Sequence, residues 1–250
     1  MRQHTPAVAA IASLTLAAGC GDDRGDSEVI VSAASSLEPA FTTYVEQAGI
    51  DAKQSFAGSD ELAAQIRQGV TPDVYAAASA SLPDELHAEG LVDKPVVFAA
   101  NRLVLAVPAD STRVRSIEDL GDEGVTIAIG DPEVPVGEYT RDVLTRLGPE
   151  RSGAILANVG SEEPDVAGIV GKLTQGAVDA GFVYLTDVTA TDGGLEAIEL
   201  PERVQPSVAY SAAVVRGAEH PEAAQEFIEG LLSGAGADAL REAGFEPPPR

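Results

Sequence analysis

The sequence is poor in positive charge and in aromatic residues. Its 250 residues include 16 Lys and Arg against 40 Asp and Glu, which gives a formal net charge of -24. Nucleic acids and anionic membranes are bound through dense Lys and Arg, so this balance argues against both as partners. Aromatic residues make up 4% and Trp is absent, which argues against a carbohydrate site or a base-stacking platform.

Cysteine and histidine are also scarce. The single cysteine, Cys20, excludes an intrachain disulfide, and the three His are too scattered for a metal site built from Cys and His. Hydrophobic residues make up 44%, which is ordinary for a packed globular protein. The length allows one large domain or two modest ones.

The first 20 residues differ in kind from the rest. Residues 6–18 are apolar or small, and no acidic residue occurs before Asp22. This pattern is typical of an export signal, and it is too short to cross a membrane as a mature helix. It ends in Leu-Ala-Ala-Gly-Cys at residues 16–20, which resembles the lipobox of bacterial lipoproteins, where the cysteine is lipidated and becomes the new N-terminus.

We therefore predict a lipoprotein signal peptide at residues 1–19, a lipid anchor at Cys20 and a polar tether over residues 20–27. The alternative is an ordinary signal peptide that is cut near Ala18, with Cys20 incidental. No later apolar run reaches the length of a membrane span, so the lipid at Cys20 would be the only membrane attachment.

The rest of the chain alternates strand and helix patterns. Apolar runs typical of buried strands are followed by apolar residues at helical spacing. This order predicts an α/β fold with mostly parallel sheets covered on both faces, and the break near residues 107–112 suggests two such sheets. The strands are predicted at residues 28–32, 52–56, 74–77, 103–107, 125–129, 154–159, 180–184 and 208–215.

Polar and small residues cluster where predicted strands end and helices begin. Ligands of open α/β sheets bind beyond the carboxyl ends of the strands, so these turns are the informative positions. Taken singly, each turn is explained by helix capping alone. The turns are residues 32–36, 56–62, 130–137 and 162–166, and Tyr184 ends a further strand.

Seven segments, taken in order, carry a family resemblance across residues 28–245. They are Val31–Phe41, Phe56–Ile66, Gly69–Ala78, Asn101–Leu105, Ile129–Gly137, Gly181–Asp187 and Glu242–Phe245. The first reads VSAASSLEPAF and the second FAGSDELAAQI. In this order they resemble the molybdate-binding proteins of bacterial molybdate uptake transporters.

The resemblance implies that five residues hold one tetrahedral oxyanion. Ser36 and Ser59 would each offer a hydroxyl and a main-chain N–H, Val136 and Val166 would offer main-chain N–H groups, and Tyr184 would donate its phenol. Molybdenum would enter as an oxyanion, so no free metal cation, cofactor or catalytic residue is implied. Such a site needs no cationic side chain, because a helix N-terminus offers unpaired N–H groups and a partial positive charge.

The resemblance also implies the type II periplasmic-binding-protein fold. Each lobe would be a mixed, mostly parallel sheet flanked by helices, with the ligand cleft between the lobes. The first lobe is expected to comprise residues 28–105 and 206–250, and the second residues 106–205. The expected function is that of an exported, monomeric lipoprotein, not an enzyme, that captures molybdate or tungstate and delivers it to the permease and ATPase of an ABC transporter.

Three alternatives remain open on the residues alone. A hydrolase would need a base beside a serine, but no Gly-x-Ser-x-Gly occurs and only His87 and His220 follow the signal. A hard metal cation could be bound by an acidic set, and the same fold could bind sulfate, phosphate or a small carboxylate. The acidic set is Asp131, Glu133, Glu162, Glu163 and Asp165. Asp60, beside Ser59, would oppose a dianion if it pointed inward.

Overall fold

The computed structural model describes residues 28–249. The predicted signal peptide, the tether and Cys20 therefore lie outside the described residues. The strands are β1 Val29–Ala34, β2 Ala52–Ala57, β3 Val74–Ala77, β4 Val96–Asn101, β5 Leu103–Pro108, β6 Ile127–Gly130, β7 Val159–Glu163, β8 Ala180–Tyr184, β9 Leu195–Glu199 and β10 Val208–Val214. The α-helices are α1 Glu38–Ala48, α2 Ser59–Arg67, α3 Ser81–Ala88, α4 Pro135–Leu147, α5 Pro149–Ala157, α6 Val166–Thr174, α7 Leu185–Thr189, α8 Pro221–Leu232 and α9 Ala235–Glu242.

The strands form two five-stranded sheets of the same design. The spatial orders are β2-β1-β3-β10-β4 and β7-β6-β8-β5-β9. In each sheet the fourth strand, β10 or β5, is antiparallel to both neighbours, while the first three pair in parallel. Two mixed sheets flanked by helices confirm the predicted fold class. Among residues 28–249, no helix has both the length and the apolar character needed to cross a bilayer.

The chain passes twice between the two sheets. The first passage lies between β4 and β5, at Arg102, and the second lies between β9 and β10. The expected end of the first lobe at residue 105 would divide β5, but all of β5, from Leu103 to Pro108, pairs with β8 or β9 of the second sheet. Residues 103–105 therefore belong to the second sheet. A uniformly apolar strand carries no mark of the sheet it will join, so the sequence could not fix this boundary.

The strand predicted at residues 154–159 is wrong. Residues 149–157 form α5, and the strand that follows, β7, begins at Val159. Pro149 occupies the first turn of α5, where its fixed φ suits a helix and its missing N–H costs nothing. Strands β4 and β9 and the short helix α7 were not predicted.

The carboxyl ends of the parallel strands position the candidate site. A one-turn 3-10 helix at Ser35–Leu37 follows β1, α2 follows β2, α4 follows β6 and α6 follows β7. Strands that run parallel end at the same edge of a sheet, so these helix starts are gathered at one edge of each sheet. Tyr184 is the last residue of β8, which runs parallel to β6, so it lies at the same edge of the second sheet as the starts of α4 and α6.

Candidate functional site

One small cavity between the two sheets is lined by all five residues expected to hold a ligand. They are Ser36, Ser59, Val136, Val166 and Tyr184. The space open to the centre of a water-sized sphere is about 20 Å³, and about 10–15 Å³ suffices for one water. The cavity therefore suits one compact ligand and is far below the 300–1,000 Å³ of typical pockets for organic ligands.

The other lining residues are mostly small. They are Ala34, Ser35, Ala57, Gly58, Ala78, Val134, Pro135 and Asp165. Small side chains allow backbone N–H groups to approach a ligand closely. The sequence patterns around the two serines contained several of these residues, while Ala78 lies at the end of a different strand and was not expected at the site.

Ser36 lies in the 3-10 turn that follows β1. Its side chain is buried, and its Oγ lies 2.9 Å from the hydroxyl oxygen of Tyr210 on β10. Tyr210 is 174 positions away in the sequence, and no local pattern indicates this contact. The position of the Ser36 hydroxyl is therefore fixed by a hydrogen bond to another buried hydroxyl, which does not line the cavity.

Ser59 is the first residue of α2 and is also buried. Its Oγ accepts a hydrogen bond of 3.1 Å from the backbone N–H of Ala78, and its carbonyl accepts one of 2.7 Å from the Tyr75 hydroxyl. Because Oγ already accepts from a backbone donor, the hydroxyl proton of Ser59 is left for another acceptor.

Val136 lies in the first turn of α4, where backbone N–H groups have no partner inside the helix. The loop between β6 and α4 folds tightly against this turn. A Cβ atom at Gly137 would lie 1.8 Å from the carbonyl oxygen of Asp131, so only glycine permits this approach. The close packing holds the first N–H groups of α4 at the cavity.

Val166 begins α6 and also presents a first-turn N–H. Asp165 is the N-cap residue, and its Oδ1 accepts a hydrogen bond of 2.8 Å from the N–H of Gly168. The sequence placed Asp165 in an acidic set that could bind a cation. In the structure its carboxylate caps a helix and lines the cavity.

Tyr184 has a buried hydroxyl that no other group among residues 28–249 pairs with. Burial raises the pKa of this phenol well above its ordinary value, so the hydroxyl keeps its proton. A buried hydroxyl without a partner is costly, and a ligand oxygen in the cavity would satisfy it. The backbone N–H of Tyr184 donates to Oδ2 of Asp187 at 2.9 Å, and burial raises the pKa of Asp187 to about 7.

Turns from the two sheets approach each other closely beside the cavity. A Cβ atom at Gly58, on the first sheet's side, would lie 2.5 Å from the carbonyl oxygen of Pro164, on the other side. Asp60 is not among the lining residues, although its Oδ1 is buried and has no partner within the described chain. Burial raises the pKa of Asp60, and the charge of Glu133 adds to the rise.

No Lys, Arg or His is among the described residues that line the cavity. Arg141 lies close by, but it donates to the carbonyl of Gly130 at 2.9 Å and pairs with Glu162 at 2.8 Å. Apart from the carboxylate of Asp165, which caps α6, the polar groups that line the cavity are hydroxyls and backbone N–H groups. Such donors can hold an acceptor such as an oxyanion.

The residues that could have formed a metal site or a hydrolase site make other contacts in the structure. Glu163 pairs with Lys172 at 3.6 Å, and residues 28–249 contain no group of three His, Cys, Asp or Glu that could hold a metal ion. His220 precedes α8, where its backbone N–H donates to the buried Asp73 at 2.8 Å. His87 Nδ1 lies 3.1 Å from the carbonyl of Val92. Neither histidine lines the cavity with the serines.

Two α/β halves of the same design with one small cavity between them are the architecture of a two-lobed solute-binding protein. The sequence comparison agrees with this class. Residues 29–246 match the family described as bacterial extracellular solute-binding protein, and the chain belongs to that family. The description of this family names the binding of solutes and not a catalytic activity.

The chain is similar to proteins named for molybdate. It is 33% identical to the molybdate-binding protein ModA of Mycobacterium tuberculosis over 235 residues, which is 91% of this chain and 88% of the relative. The structure is similar to the substrate-binding domain of a putative molybdenum ABC transporter from Clostridium difficile, with a TM-score of 0.66 and 29% identity over 88% of this chain and 98% of that one. It also shares its fold with the periplasmic molybdate-binding protein of Azotobacter vinelandii, with a TM-score of 0.79 and 22% identity over 89% of this chain and 100% of that one.

Proposed function

We propose that this protein captures molybdate, and equally tungstate, in the cavity between its two lobes. The observation that carries the proposal is the set of donors around one enclosed space, above all the buried, unpaired hydroxyl of Tyr184. Ser36 and Ser59 would add their hydroxyls and N–H groups, and Val136 and Val166 their N–H groups. Together these donors would replace the hydration shell of one tetrahedral dianion.

The relatives support molybdate as the ligand. The Mycobacterium tuberculosis relative is named for molybdate binding, and the similarity covers 91% of this chain. Discrimination against sulfate would follow from cavity size, because molybdate is the larger ion. Molybdate and tungstate are nearly equal in size and charge, so the site would hardly separate them.

We propose that binding closes two lobes about the chain's two crossings. One lobe would comprise residues 28–102 and 206–249, and the other residues 103–205, with the boundary set by the pairing of β5. Ser36 and Ser59 belong to the first lobe and the remaining three residues to the second. An ion held by both groups would stabilise the closed form, which is the working motion of hinged binding proteins.

We further propose that the protein acts outside the cytoplasm as a monomer, anchored by lipid at Cys20, and delivers its ion to an ABC transporter's permease and ATPase. The sequence at residues 16–20 supports the anchor, and the Clostridium difficile neighbour, named as part of such a transporter, supports the partner. Replacing Cys20 with Ser should move the protein from the membrane fraction to the soluble fraction. Continued membrane retention of that variant would contradict the anchor.

Calorimetry tests the ligand most simply. The chain without residues 1–20 is titrated with molybdate, tungstate and sulfate under the same conditions. We expect similar affinities for molybdate and tungstate and no measurable heat with sulfate. Preferential binding of sulfate would refute the assignment.

A further inference from the structure

A chain of buried hydrogen bonds lies behind Ser36 and reaches the first crossing between the sheets. Ser36 Oγ lies 2.9 Å from Tyr210 Oη, and Asn101 Nδ2 lies 3.5 Å from the same Oη. Asn101 is the last residue of β4, immediately before the crossing at Arg102. Ser36, Asn101 and Tyr210 are all buried, so water does not compete freely for these groups.

The orientation of the Asn101 amide is fixed by its neighbours. The backbone N–H of Arg102 donates to Asn101 Oδ1 at 2.8 Å. The amide nitrogen therefore faces the other way, and it donates to Thr186 Oγ1 at 2.9 Å. Its remaining N–H is directed at the hydroxyl of Tyr210.

The orientation of the Asn101 amide determines which way the proton of the Tyr210 hydroxyl points. A hydroxyl that accepts from Asn101 has its own proton free to donate, and the nearest acceptor of Tyr210 is Ser36 Oγ. Burial raises the pKa of Tyr210 well above its ordinary value, so this proton is retained. With Oγ of Ser36 accepting from Tyr210, the Ser36 proton is left to point into the cavity.

The Ser59 hydroxyl also keeps its proton for a ligand, because a backbone group fills the role that Tyr210 has for Ser36. Its Oγ accepts from the backbone N–H of Ala78, which can only donate. Ser36 and Ser59 thus each accept one hydrogen bond from the protein, and each keeps its own proton to donate. A ligand in the cavity would meet three hydroxyl donors, because the Tyr184 hydroxyl is also unpaired.

We propose that Tyr210 is a positioning residue for ligand binding. Asn101 orients the Tyr210 hydroxyl, which donates to Ser36 Oγ, and the Ser36 hydroxyl then donates its own proton to the bound oxyanion. This inference rests on the proposed function. Tyr210 does not line the cavity, so its hydroxyl acts through Ser36. Its ring also packs against the ring of Tyr184, with 5.8 Å between the centroids, and Tyr210→Phe keeps this contact. Thr186 lies two residues after Tyr184, so Asn101 also joins the two sheets behind the site.

The test is a double-mutant cycle between Tyr210→Phe and Ser36→Ala, measured by calorimetry with molybdate. Tyr210→Phe alone should weaken binding about two- to tenfold, the usual worth of one neutral hydrogen bond. In the Ser36→Ala background the same change should have no effect, because Tyr210 would have nothing left to orient. Asn101→Ala is a second variant that should weaken binding in the same direction. Its effect should be smaller in the Tyr210→Phe background, where only its bond to Thr186 is lost.

Tyr44→Phe is the matched control. The Tyr44 hydroxyl is also buried and donates to the carbonyl of Phe227 at 3.2 Å, away from the cavity. This variant should leave molybdate affinity unchanged, and thermal unfolding should show that each variant is folded. Unchanged affinity in Tyr210→Phe, or an equal loss with and without the Ser36 hydroxyl, would overturn the inference. If the unmodified protein binds neither molybdate nor tungstate, it is the proposed function that fails.

Discussion

Replacing Tyr184 with Phe should weaken ligand binding without weakening the ligand-free protein. The hydroxyl is buried and unpaired among residues 28–249, so removing it takes away an unsatisfied polar group. Such a group costs about 1–3 kcal/mol when no water reaches it. The free energy of unfolding without ligand should therefore stay constant or rise by up to that amount.

The loss in binding should be larger than for an ordinary hydrogen bond. A hydrogen bond to a charged group contributes about 1.5–3 kcal/mol, which corresponds to a roughly 10- to 150-fold weaker affinity. Calorimetry with molybdate and urea unfolding of the ligand-free protein measure the two effects separately.

Tyr44→Phe should give the opposite pattern. Its hydroxyl is paired with the carbonyl of Phe227 at 3.2 Å, so its removal should lower the free energy of unfolding by about 0.5–1.5 kcal/mol and leave affinity unchanged. If Tyr184→Phe lowers stability and leaves affinity unchanged, Tyr184 is a packing residue and the reasoning is refuted.

Three further changes test the site, the closure and the pH response. Ser59→Ala should weaken molybdate binding by about 1–3 kcal/mol in calorimetry, and an unchanged affinity would remove Ser59 from the site. Gly58→Ala should reduce affinity at least tenfold, because its Cβ would lie 2.5 Å from the carbonyl oxygen of Pro164 in the opposite lobe. Thermal stability should change little, because the backbone (φ -59°, ψ 135°) suits alanine and the other close atom, Asp60 Oδ1 at 2.9 Å, is the end of a side chain that can turn away. Gly153→Ala, with open space around it, is the control, and equal affinities would argue against closure. The free energy of unfolding should fall as pH rises from about 4 to about 7, because folded Asp187 keeps a proton that the unfolded chain loses. Asp187→Asn should flatten this pH dependence in urea titrations. An unaltered slope would assign the pH dependence to other groups.

The sequence predicted five residues that the structure brings together around one cavity, but it missed several details of the fold. These five residues stand at strand ends and helix starts, where local sequence and the edge of a parallel sheet together limit the position of each residue. Strands β4 and β9 and the boundary at β5 depend on which sheet a short apolar run joins. That choice is made by contacts between distant segments, which a periodic pattern does not contain.

The groups behind the site were also beyond local reasoning. Ser36 and Tyr210 are 174 positions apart, and Asn101 and Thr186 are 85 apart. The net charge says little about what the cavity can hold, because the described residues that line it include hydroxyl and N–H donors and no Lys or Arg. Local dipoles at helix starts, and not the net charge of -24, determine what such a cavity can hold.

Anomalous diffraction from crystals grown with tungstate tests the central claim most directly. Tungsten scatters strongly enough to locate a single ion without prior assumptions about its site. The account predicts one tungsten peak in the cavity, within hydrogen-bonding reach, through its oxygens, of Ser36, Ser59 and Tyr184 and of the first N–H groups of α4 and α6. A peak elsewhere, or an empty cavity at saturating tungstate, would contradict it.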